Sequence, residues 1–221
     1  MTKDKTQSIF LILFTLIFLL NDFIFMSVTT YVGWLITDYV GRIIVLLMMG
    51  YLIKRKISSF ADFGFTKIKA KPLIFWAILL SVSGVFIDQF GRRFFESILP
   101  HTQMMVFYKI TNPTIRIIDL TFGLLLVALT EEAVFRGFYN SVLSKWIKNP
   151  VAFLIVSSIT FGLIHWSLGL HSVITSALWG VLPMIVLWKT QSILPAIIAH
   201  YLSNLVAFSK IIPASWFQFM Y

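Results

Sequence analysis

Three short groups of residues in the second half of this chain have the types and spacing to do chemistry together. They are Glu131-Glu132-Ala-Val-Phe-Arg136, Phe161-Gly-Leu-Ile-His165 and His200-Tyr-Leu-Ser-Asn204. Each lies inside an apolar stretch, where an ionisable side chain is costly and marks a functional site by default. On a helix, Glu132 and Arg136 are four residues apart and stack on one face, so they can form an ion pair. Glu131 lies about 140° round the helix from Arg136. It is therefore expected to lack that local partner and to face a cavity. His200 and Asn204, also four apart, present an imidazole and an amide on one face. Phe161 lies one turn before His165 and is expected to wall the same face with an apolar ring.

That set suits hydrolysis by an activated water. A carboxylate stripped of water is a competent base near neutral pH, so Glu131 with His165 can hold and deprotonate a water. His200 and Asn204 can donate hydrogen bonds to the oxyanion that forms when water attacks an amide carbonyl. No motif places a serine as nucleophile, although spacing alone leaves Ser203 and Ser144 open. The bland reading of the same residues is a set of buried ion pairs and helix-packing hydrogen bonds. For Asp38 and Arg42, four apart in another apolar stretch, mutual neutralisation is the favoured reading. Asp88 with Arg92 reads as the same device at a helix end, and Asp119 as an acid favoured by the dipole near a helix start. His101 and His171 carry no motif.

The elements that must position these residues are membrane helices. The chain has 221 residues, of which 58% are hydrophobic and 12% charged. A soluble domain carries about 25% charged residues, and one of this size cannot hide so much apolar surface. Mean hydropathy is +0.88. The expected fold is all-α and polytopic, with about seven transmembrane helices around an intramembrane catalytic cavity. The apolar stretches run Ser8–Ser27, Tyr31–Ile53, Pro72–Phe90, Thr114–Tyr139, Val151–Trp166, Leu170–Trp188 and Ile193–Ile212. An eighth helix is allowed for within Gly91–Pro113, which otherwise is expected to lie on the membrane surface. The division expected is 1–113 for N-terminal helices and a basic loop, and 114–221 for the catalytic core. From the presumed cytoplasmic ends, Glu131, His165 and His200 fall roughly 12–21 Å into the bilayer, a depth compatible with one pocket.

The net charge of +9 is an orientation signal rather than a nucleic-acid signal. Eleven loop lysines and arginines fall on the side of the N-terminus, Lys54, Arg55 and Lys56 among them, against five on the other side. That bias places the N-terminus in the cytoplasm and the C-terminus outside. The first apolar run shows no small-residue cleavage site and is expected to be retained as a span. With no cysteine, disulfides, thiol nucleophiles and thiolate metal sites are excluded.

The three groups together resemble the motifs of the CAAX protease and bacteriocin-processing (CPBP) family. Its members are intramembrane glutamate proteases related to the Ras-converting endopeptidase. The motifs occur complete and in family order, and the resemblance covers about Thr114–Phe208. It implies that Glu131 activates water with the help of His165, that His200 and Asn204 stabilise the oxyanion, and that Glu132 and Arg136 support them. It also implies a mechanism with no metal and no cofactor, since the amide of Asn204 is a poor zinc ligand. The expected partners are a peptide or protein substrate at the membrane and the lipid bilayer, with no nucleic acid. Prenylated CAAX proteins, peptide pheromones and bacteriocin leaders all fit as substrates by resemblance. Two other functions compete. One is an immunity protein that binds a toxic peptide. The other is a proton-coupled transporter, against which the lack of an internal repeat argues.

Overall fold

The computed structural model describes residues 2–106 and 108–212, and every regular element among them is helical. The expected placement of the C-terminus outside the membrane lies beyond the described residues. The helices are α1 (Lys3–Ser27), α2 (Tyr31–Lys54), α3 (Ala70–Ile98), α4 (residues 113–143), α5 (Pro150–Leu163), α6 (Leu170–Thr190) and α7 (Leu194–Ser209). Four of them, α1, α2, α3 and α6, are long and apolar enough to cross a membrane. Helices α5 and α7 are apolar but have only 14 and 16 residues.

Polar caps start the elements where the sequence supplies them. Asn112 and Asn149 each precede a proline at the first helical turn, and each side chain accepts two backbone N–H groups of that turn. Proline gives up an N–H that would be unpaired there in any case, and asparagine satisfies the next two. Thr30 caps α2 through the N–H of Gly33.

Burial follows helical periodicity. On α1, Leu11, Phe14, Phe18 and Phe25 turn inward, while Ile12, Leu16, Leu20 and Phe23 are exposed. A helix apolar on its outer face as well as its inner one is suited to lipid, not to water. The protein is an integral membrane protein.

Two connections differ from the sequence-based picture. The polar loop after α2 does not simply hang in water. Its short 3-10 turn, Ala61–Phe63, drives Phe63 to full burial, stacked on Phe138 at 4.8 Å between ring centroids and edge-on to Phe14 at 6.4 Å. A Cβ at Gly137 would overlap the Phe63 carbonyl, so only glycine lets the loop backbone lie against α4. The second difference concerns the eighth helix allowed for within Gly91–Pro113. Residues 92–98 instead extend α3 past a π-helical turn at Ile87–Gly91. The segment after it docks on the protein, for Met105 is buried and the N–H groups of Met104 and Met105 both donate to the Ser167 carbonyl.

Candidate active site

Helix α4 is continuous over residues 113–143 but departs from α geometry twice, at Asp119–Gly123 and Ala133–Phe138. The second π-helical turn begins directly after Glu131-Glu132 and contains Arg136 and Gly137. Such single wide turns re-aim side chains and concentrate at functional sites. Here every residue from Thr130 to Tyr139 is buried, so the carboxylates and the guanidinium have to find partners within the protein.

Glu132 is fully buried and is engaged at both oxygens. Its Oε1 accepts from Nδ1 of His200 at 2.8 Å, and its Oε2 lies 3.2 Å from Nε of Arg136. The pairing expected from the spacing of Glu132 and Arg136 is present. The guanidinium carbon of Arg136 also sits 3.9 Å above the Phe161 ring centroid, which gives the buried cation an aromatic face as well as an acid. Because Nδ1 of His200 donates to Glu132, its Nε2 is left to face elsewhere.

It faces Glu131, whose Oε2 is 3.8 Å away. That oxygen is buried and has no hydrogen-bond partner among the described residues. Glu131 is without Arg136 as a partner, as its place on the helix predicts, but it has a distant one, since its Oε1 lies 2.9 Å from NH2 of Arg42 on α2. Arg42 does pair with Asp38, Nε to Oδ1 at 3.0 Å, but mutual neutralisation is only part of its role. Its NH1 also donates to Thr130 Oγ1 at 3.3 Å.

Helix α5 ends at Leu163, and His165 follows in the turn that leads to the 3-10 segment Trp166–Leu168. The His165 Nδ1 lies 3.1 Å from the Phe161 carbonyl. Helix α1 secures this turn. Trp166 donates its indole N–H to the Leu19 carbonyl at 3.1 Å, and Asp22 Oδ2 accepts the Ser167 N–H at 3.2 Å. A turn at this position in an apolar medium has to satisfy its backbone in this way. No hydrogen bond joins His165 to Glu131 among the described residues.

His165, His200 and Asn204 come together on one cavity of about 90 Å³, shared with Phe161, Ser203 and Asp88. That volume has room for several waters. Glu131 is not part of the lining and reaches it through His200. Phe161 walls the site as its spacing predicts, with its ring edge-on to His165 at 5.3 Å and to His200 at 6.3 Å. Of the two serines left open, Ser144 donates to the Asn140 carbonyl. Ser203 borders the cavity with an Oγ that has no partner among the described residues. No base is therefore in contact with either hydroxyl. Among the described residues, no group of three or more His, Asp or Glu is placed to hold a metal ion.

Other charges also find different surroundings from those expected. Asp119 is not simply a helix-dipole acid, since it is buried and accepts from the Tyr39 hydroxyl at 2.8 Å. Asp88, in the π-helical turn of α3, pairs at 2.7 Å with Arg92 just after that turn. His171 is buried 3.2 Å from Glu96.

Sequence reasoning missed Arg42 and Asp22 as neighbours of the site. The available signal was that both are ionisable residues within apolar helices. What it lacked was their distance along the chain from the residues they touch.

No curated protein and no solved structure matches the chain. Residues 113–206, which hold all three motifs, match the family model described as Type II CAAX prenyl endopeptidase Rce1-like. Over that segment the chain is similar to the Rce1-like type II CAAX prenyl endopeptidases, in agreement with the family its motifs resemble.

Proposed function

We propose that this protein is an intramembrane endopeptidase. It hydrolyses a peptide bond with a water activated by Glu131 and His165, and His200 and Asn204 receive the oxyanion. One observation carries the reading. His165 from one stretch of chain and His200 with Asn204 from another share one cavity, and His200 links that cavity to a buried carboxylate oxygen of Glu131 that has no hydrogen-bond partner among the described residues.

The chemistry follows from those positions. The water oxygen attacks the carbonyl carbon while its proton passes to the Glu131–His165 pair. The carbonyl π electrons move to oxygen, where the Asn204 amide and a proton-bearing Nε2 of His200 donate hydrogen bonds. The proton then returns to the amine as the C–N bond breaks, leaving an acid and an amine. Glu132 holds the His200 ring by Nδ1, and Arg136 holds Glu132. The catalytic part is the region from residue 114 onward. The substrate is a peptide or protein met at the membrane. The protein sits in the plasma membrane with its N-terminus in the cytoplasm, in keeping with the loop charge bias.

The test is cleavage of internally quenched peptides by purified protein in liposomes. Glu131→Ala and His165→Ala are each expected to abolish cleavage while leaving the protein folded and inserted. Full activity in both variants would overturn the proposal. EDTA is expected to leave the rate unchanged, and a loss restored only by zinc would replace the glutamate mechanism with a metal-dependent one.

A further inference from the structure

Each of the three nitrogens of the Arg42 guanidinium has a contact. Nε, NH1 and NH2 reach Asp38, Thr130 and Glu131 at 3.0, 3.3 and 2.9 Å. Its side chain and that of Glu131 are only 10% and 4% exposed, so water does not screen the contact. The plane of the fork fixes the direction of every acceptor it binds. With Oε1 of Glu131 tied to NH2, the other oxygen is held at 3.8 Å from Nε2 of His200, without a hydrogen bond among the described residues.

We propose that Arg42 is a positioning residue that aims Glu131 at His200 and the cavity. The inference rests on the peptidase reading for its purpose, but the hold on Glu131 can be measured without it. Asp38 is part of the device. Asp38 holds the guanidinium by Nε, so that NH2 is presented to Glu131. Thr130 completes the clamp, for its hydroxyl donates to the Leu126 carbonyl and accepts from Arg42.

Arg42→Gln, Arg42→Lys and Asp38→Asn are compared with the native protein in liposomes, by kcat and KM on a quenched peptide. Arg42→Gln is expected to lower kcat about 100-fold, the cost of an ångström-scale misplacement, with KM within about twofold because the substrate contacts are untouched. Arg42→Lys keeps a charge but no fork and is expected to fall between the two. It also serves if the glutamine variant fails to insert. Asp38→Asn is expected to lower kcat in the native background and to add nothing in Arg42→Gln, since Asp38 acts through Arg42. A native kcat in Arg42→Gln, a loss confined to KM, or an equal Asp38→Asn effect in both backgrounds would overturn the proposal. An activity-independent reading is infrared difference spectroscopy. Arg42→Gln is expected to gain a protonated-carboxyl band that Arg42→Gln/Glu131→Gln lacks. Absence of that band would overturn the hold on Glu131 even where no peptide is cleaved. A gained band with no cleavage by the native protein would instead count against the peptidase reading alone.

Discussion

Replacing each of the two adjacent glutamates by glutamine should separate chemistry from stability. Glu132 is fully buried, and it is the acid in contact with Arg136, itself 1% exposed. Glutamine at 132 leaves that guanidinium in an apolar interior with an amide where a carboxylate was. Breaking a buried pair by removing one partner costs about 3–5 kcal/mol. The Phe161 ring lies under Arg136 with either residue at 132, so it does not reduce that cost, and a loss of about 3–5 kcal/mol is expected. For a chain of this size that corresponds to a fall in Tm of about 6–20 °C. Glutamine at 131 leaves a different situation, because Arg42 retains Asp38 at 3.0 Å. No cation is stranded, and the loss should stay below about 1.5 kcal/mol, the ordinary worth of one hydrogen bond. Activity should show the reverse order: Glu131→Gln silences cleavage, and Glu132→Gln keeps a measurable rate below its lowered Tm. The assay is thermal unfolding in detergent, followed by tryptophan fluorescence, with peptide cleavage measured at a temperature where both variants are folded. An unchanged Tm for Glu132→Gln, or a larger fall for Glu131→Gln, would refute the charge accounting.

Further outcomes follow from single contacts. Ser203→Ala is expected to cleave peptide within about twofold of the native rate, because no base touches the Ser203 hydroxyl; abolished cleavage there would bring back a serine nucleophile. Gly137→Ala should cost about 2 kcal/mol or more, since the added methyl meets the Phe63 carbonyl, and it should lower Tm before it alters kcat at low temperature. Asp22→Ala removes the acceptor of the Ser167 N–H, a loss of about 1–3 kcal/mol. Hydrogen exchange should then quicken at residues 165–168, and protection as strong as in the native protein would contradict the anchoring role of α1.

Local spacing made a good part of the site legible. Residues four apart on one helix were legible as neighbours: Glu132 meets Arg136 even across the π-helical turn, and His200 and Asn204 line one cavity. The seven apolar stretches each fall on a helix among the described residues, and four of those helices are long and apolar enough to cross a membrane. What stayed illegible is long-range or irregular. The contact between Arg42 and Glu131 joins residues 89 positions apart, and that between Asp22 and Ser167 joins residues 145 apart. No periodicity encodes such meetings. The π-helical turn after Glu132 changes the phase of α4 without a proline or any other obvious break in the sequence. Phe63 looked like part of a polar loop because its neighbours are charged, yet one aromatic ring was enough to pull that loop into the core.

The shortness of α5 has a consequence for the bilayer itself. Fourteen residues span about 21 Å, against about 30 Å of hydrocarbon. Its outer residues Val151, Ile155 and Ile159 are apolar and exposed, so lipid tails have to meet this helix along its length. Where α5 crosses the bilayer, local thinning is one way to relieve that mismatch. His165 follows the end of that same helix. Thinning on this side would fall beside His165, so a polar segment approaching there would cross less hydrocarbon to reach it.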